Sequence, residues 1–163
     1  MKSILLTIGL ILFCTSCFVH EGRMINGQCR PKNPNFKLTK IPFKDSDLLA
    51  FNKIYIADDK TNAMGYGFYP DGRIIYVHSK DGLTLKIEDI INKTWNNAPA
   101  IGYWRMERNK IKTEYFSCSN SGNYIRKQGE IKGDTIVFYE NFYHPFYKEI
   151  REERYVLSDM SFE

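Results

Sequence analysis

The sequence predicts a mainly β protein: an antiparallel meander of about seven or eight strands, forming a barrel or a sandwich, with one short helix. Three observations carry this. Apolar and polar residues alternate over short runs, turn pairs recur roughly every ten residues, and aromatics are abundant, with 11 Tyr, 11 Phe and 2 Trp. Such rings suit a pleated surface better than a helix.

Residues 53–57 form the first candidate strand. Residues 64–69 and 73–78 flank Pro70-Asp71-Gly72, a strong hairpin signal, and a second Asp-Gly pair follows at Asp81-Gly82. Then the rhythm breaks. Leu83, Ile87, Ile90, Ile91 and Trp95 fall at helical spacing, while Leu83, Leu85 and Ile87 also alternate as a strand would. Length favours a helix over residues 85–96, closed by Pro99. Residues 101–107 and 110–116 flank Arg108-Asn109, residues 124–131 and 135–140 flank Lys132-Gly133-Asp134, and residues 148–157 supply the last long strand. Ahead of these, Asp45-Ser46-Asp47-Leu48-Leu49 is read as the start of a short helical turn.

The N-terminus is built differently. Lys2 supplies a positive charge, residues 4–13 an apolar run, and Cys14-Thr15-Ser16-Cys17 a small-residue cleavage site ending in cysteine. This anatomy resembles a bacterial lipoprotein signal, which implies removal of residues 1–16 and acylation of Cys17. The membrane is then a partner through covalent lipid. Phe18 in place of aspartate after that cysteine leans, by the same resemblance, toward the outer membrane of a Gram-negative bacterium. An ordinary secretory cut after Ser16 is the alternative, and only chemistry on Cys17 separates the two. An uncleaved span is excluded, because crossing a bilayer takes roughly 20 apolar residues. Residues 18–42 are rich in Gly, Pro and polar residues without periodic apolar spacing, and they read as a flexible tether. The expected organisation is a signal peptide 1–16, a lipidated N-terminus and tether 17–42, and a single β-rich domain 43–163.

Composition narrows the function. The net charge is +4, without a block of like charge, which excludes nucleic acid as the expected partner. Of four cysteines, Cys14 leaves with the leader and Cys17 carries lipid, so the domain keeps Cys29 and Cys118. In an oxidising compartment these two are candidates for a disulfide, and free buried thiols are the alternative.

Gly102-Tyr103-Trp104 resembles the Gly-x-Trp fingerprint of lipocalin-like barrels. The resemblance implies a carrier of a small apolar ligand, with Tyr103, Trp104, Phe138 and Tyr143 lining its cavity. In that family the motif lies on the first barrel strand. Alternation alone gives a plainer reading, with Trp104 and Met106 pointing into a core and Tyr103 and Arg105 pointing out. Residues 138–147 hold six Phe and Tyr rings, and these either grip a ligand or cover the open end of a sheet.

His20, His78 and His144 are far apart and show no metal-site spacing. Asp58-Asp59 and Glu152-Glu153 are adjacent pairs, and neighbours on a strand point to opposite faces, a poor arrangement for paired acid catalysis. Glu152 and Glu153 between Arg151 and Arg154 suggest an exposed, charge-decorated strand. Nucleophile elbows, phosphate-binding loops and His-Glu-x-x-His are absent from the sequence. No catalytic residue, metal or cofactor is therefore assigned. A cleft gathering Asp58, Asp59, His78, His144 and Glu140 would be the sign of an enzyme. The expected role is a lipid-anchored, non-enzymatic binding or scaffolding module that meets a small ligand or another envelope protein.

Overall fold

Strands β1 (Gly22–Ile25) and β2 (Gln28–Pro31) form a separate hairpin, and eight further strands close a barrel. These are β3 (Lys53–Ala57), β4 (Met64–Phe68), β5 (Arg73–His78), β6 (Ala100–Glu107), β7 (Lys110–Ser117), β8 (Asn123–Lys132), β9 (Thr135–His144) and β10 (Tyr147–Ser161). Each pairs antiparallel with the next, and β10 returns to β3, pairing Tyr155 with Ala57. The computed structural model describes residues 22–42, 46–59, 63–119, 122–144 and 147–162, without the side chains of 141–148. Cys17, Asp45 and the Tyr143 side chain lie outside that description.

The meander expected from alternation is thus a closed barrel rather than a sandwich. Closure leaves no free edge where the ladders are continuous; edges remain along the first half of β8 and along β9 and β10 beyond Tyr139. The tight turns Asp71-Gly72, Arg108-Asn109 and Gly133-Asp134 share one end, and the longer connections share the other. Inward-facing positions follow the period of two: Tyr66 and Phe68 on β4, Ile74 on β5, Trp104 on β6, Ile111 and Tyr115 on β7, Ile136 and Phe138 on β9. Near the tight turns the barrel is solid. Leu49 and Phe51 fold under it, the Phe51 ring lies 5.9 Å from Trp104, and the Trp104 indole donates to the Tyr69 carbonyl at 2.8 Å.

Three sequence expectations need correction. The helix over residues 85–96 is a single turn, α1 (Ile87–Ile90). The chain leaves the helix at Ile91, ψ 133°, and turns through Asn92 at φ 64° so that the Lys93 amide donates to the Ile90 carbonyl at 2.8 Å, while Leu85, Ile90 and Ala98 pack on the outer wall with Ile54, Ile75 and Phe162. An extended residue followed by a left-handed one makes a β-turn, which ends the helix after a single turn. The segment Asp47–Leu48 is a turn, not helical.

Residues 22–42 are likewise not a loose tether. Cys29 and Cys118 form a disulfide across 89 residues, with Cα atoms 5.6 Å apart. Arg30 donates to the carbonyls of Asn96 and Ala98 at 3.1 and 3.0 Å. Phe36 sits edge-on between Tyr103 and Tyr124, and Ile41 donates its amide to Asp71 at 2.9 Å. The strap therefore runs down the outside of β6 to β8, from the end with long connections to the end with tight turns. Its peg is Glu114, only 1% exposed, which accepts the amides of Lys37 and Leu38 at 2.6 and 2.8 Å and Arg126 Nε at 2.7 Å. Backbone groups in such a segment need partners, and a buried carboxylate supplies them.

Candidate functional site

Four tyrosines occupy inward positions toward the open end of the barrel. Tyr66 is central, its ring 5.3 Å from Tyr76, 5.8 Å from Tyr115 and 4.8 Å from Tyr155. Tyr76 and Tyr115 stack at 5.0 Å with their planes 7° apart. Above them two cups open. One, of about 460 Å³, is lined by Asp58, Asp59, Tyr76, Tyr115, Lys127 and Glu153, among others. The other, of about 610 Å³, lies across the same stacked pair under the β1–β2 hairpin and is lined by Met24, His78 and Ile125. Both exceed the roughly 300 Å³ that a small-molecule site needs.

The first cup is polar. Glu153 on β10 turns inward, where it accepts from the Lys127 ammonium and from the Tyr155 hydroxyl at 3.2 Å. Glu152, its neighbour, points outward and pairs with Arg154 at 3.1 Å. Opposite facing of the two glutamates is as the strand period requires, but Glu153 is not on a merely charge-decorated face. Burial, reinforced by neighbouring tyrosines and Glu153, holds Tyr76 and Tyr155 well above the ordinary tyrosine range. Burial does the same to Tyr66. These hydroxyls stay protonated near neutral pH, so they act as hydrogen-bond donors rather than bases or nucleophiles. The Tyr66 hydroxyl is fully buried beside Tyr115 without a hydrogen bond of good geometry, and Thr113 Oγ1 is a second buried hydroxyl in that state. Lys127 is 16% exposed and tied to Glu153, so its charge is already compensated.

Of the residues expected to line a cavity, the three whose side chains are described, Tyr103, Trp104 and Phe138, do not meet in one. Trp104 is buried at the closed end, Phe138 lies in the core against Tyr66 and Tyr155, and Tyr103 faces outward between Phe36 and Trp95. Inward Trp104 and outward Tyr103 follow from alternation alone. The Gly-x-Trp motif lies on β6, the fourth barrel strand. There Gly102 has a local cause: a Cβ would stand 1.9 Å from the Glu114 carbonyl oxygen.

Comparison with protein-family models, curated proteins and solved structures finds no match. The site must be read from its own chemistry. Of the residues named as signs of an enzyme, Asp58 and Asp59 reach the first cup, His78 lines the second, and Glu140, exposed on β9 with the parity of Phe138, stands near enough to add to the burial that raises the pKa of the Tyr115 hydroxyl. The His144 side chain is outside the description. Among the described residues no three His, Cys, Asp or Glu side chains are grouped to hold a metal ion. Sequence reasoning missed Tyr66, Tyr76, Tyr115, Tyr155, Lys127 and Glu153. The signal was available in parity: Lys127 falls between Ile125 and Gly129 on the inward face, and Glu153 falls two residues before Tyr155.

Proposed function

We propose that this chain is a lipid-anchored protein of the bacterial outer membrane, held by Cys17, whose barrel is a non-enzymatic binding module taking a small molecule at its open end. The binding half rests on one asymmetry: the barrel is solid beneath Tyr66 and hollow above it, where a stacked tyrosine pair separates two cups. Tyrosine faces offer apolar contact and their hydroxyls offer hydrogen bonds, a combination suited to an amphipathic guest. The polar first cup favours such a guest over a purely apolar one. Native mass spectrometry of protein released gently from its own envelope tests this. A bound small molecule, lost in the Tyr76→Ala variant, is the expected result; a bare chain of unaltered fold would remove the proposal.

The anchor half has its own test. Palmitate supplied to growing cells should label the natural chain and leave Cys17→Ala unlabelled. Equal labelling of both would refute attachment at that residue. A scaffold role is the second reading, favoured by Leu83, Ile87 and Ile91, which are 64, 48 and 56% exposed along the β5–β6 connection.

A further inference from the structure

We propose that the open end of the barrel docks on the lipid surface that holds the anchor, so that the cups face the bilayer; this rests on acylation of Cys17. The path of the chain is the first ground. Gly22, at the start of β1, lies against Phe116 and Cys118, where β7 ends at the open end. From Cys17 to Gly22 the chain advances five residues, which reach at most about 18 Å whatever their conformation. The closed end lies about 20 Å further along tilted strands the length of β7. A lipid on Cys17 therefore holds the open end near the membrane.

The surface at that end is the second ground. Met24 and Ile25, 61 and 49% exposed, flank the Asn26-Gly27 turn of the β1–β2 hairpin. Beyond Tyr139, β9 leaves β8 and continues as a two-stranded ribbon with β10, pairing His144 with Tyr147. Ile150 on that ribbon is 61% exposed. At the opposite end the tight turns are Asp71-Gly72, Arg108-Asn109 and Gly133-Asp134, all polar. The end that takes the lipid attachment thus carries Met24, Ile25 and Ile150 exposed among charged Arg23, Glu149 and Arg151, while the other end exposes polar turns and Leu48. Interfacial binding scales with buried apolar area, and Met24, Ile25 and Ile150 supply it without any spanning helix.

The acylated full chain, reconstituted in phosphatidylethanolamine–phosphatidylglycerol nanodiscs doped with a gadolinium-chelating lipid, tests the orientation by amide relaxation. Amides of Ile25, Gly27 and Ser119 should relax more than tenfold faster than those of Gly72, Asn109 and Gly133. In M24S/I25S/I150S, which stays acylated and alters only exposed positions, that contrast should fall several-fold without vanishing, because the short leash still keeps the open end nearer the lipid. Equal enhancement at both ends, stronger enhancement at the closed end, or an unchanged contrast in the triple variant would each overturn docking while leaving the anchor intact. Protein that carries no lipid and does not associate with the discs would overturn the anchor, and this orientation with it.

Discussion

Glu114 offers the sharpest test of how the N-terminal strap is held. Its Oε2 accepts both the Lys37 and Leu38 amides, and its Oε1 accepts Arg126 Nε. Glu114→Gln keeps one oxygen, which remains with the two amides, and turns an NH2 group on the arginine. The lost charge-assisted bond carries about 1.5–3 kcal/mol. Arg126 is 48% exposed and rehydrates, so the lower part of that range, about 2 kcal/mol, is expected. Glu114→Ala removes every acceptor, adding roughly 1–2 kcal/mol for each backbone N–H left unmatched, about 5 kcal/mol in all. Urea unfolding followed by circular dichroism measures both values, and amide exchange at Lys37 and Leu38 reports the strap directly. In Glu114→Ala those two amides should exchange far faster than the β7–β8 ladder. A cost below about 1 kcal/mol for alanine, with those amides already unprotected in the natural chain, would refute the pegged strap.

Three further outcomes follow from packing and charge. Reducing the Cys29–Cys118 bridge, or making C29S/C118S, frees a loop spanning 89 residues; chain-entropy reasoning gives a loss of about 4–5 kcal/mol in urea unfolding, and a loss under about 1 kcal/mol would show that the bridge scarcely restrains the unfolded chain. Tyr66→Phe deletes a buried hydroxyl without a well-formed hydrogen bond, so stability should be unchanged or rise by about 1 kcal/mol; a drop of more than about 1.5 kcal/mol in the same measurement would mean that the hydroxyl is satisfied. Tyr66, Tyr76, Tyr115 and Tyr155 are raised by burial, so the folded chain keeps protons that the unfolded chain releases. Their contribution is full below about pH 10 and declines as pH rises above it. Absorbance at 295 nm should resolve these late-titrating rings from exposed ones, and a single step near pH 10 in the folded protein would contradict their burial.

The barrel strands were legible because alternation and turn pairs are local properties. All eight candidate runs became strands, with β9 and β10 extending further than expected. What escaped prediction depends on segments distant in sequence. Glu114 stands between inward Thr113 and Tyr115 and so reads as a solvent residue; it is buried because residues 37–38 cross it. The helical spacing from Leu83 to Trp95 was real, yet a turn at Ile91-Asn92 redirected the chain after one helical turn, and Leu85 and Ile90 found the outer wall of the barrel. The cup was half legible. Its tyrosines carry the right parity, but which inward rings fill a core and which border a hollow depends on the unequal closure of the two ends.

The bridge between β2 and the segment after β7 also settles how mechanical load enters the molecule. Tension applied ahead of Gly22 reaches the barrel wall through Cys29 and Cys118. Residues 30–42, secured by hydrogen bonds, ring contacts and the Lys40–Asp71 ion pair at 3.3 Å, lie beyond that rivet and are shielded from peeling. A pull on the chain ahead of Gly22 would thus pass as shear into a covalent crosslink and leave the peg at Glu114 unstrained.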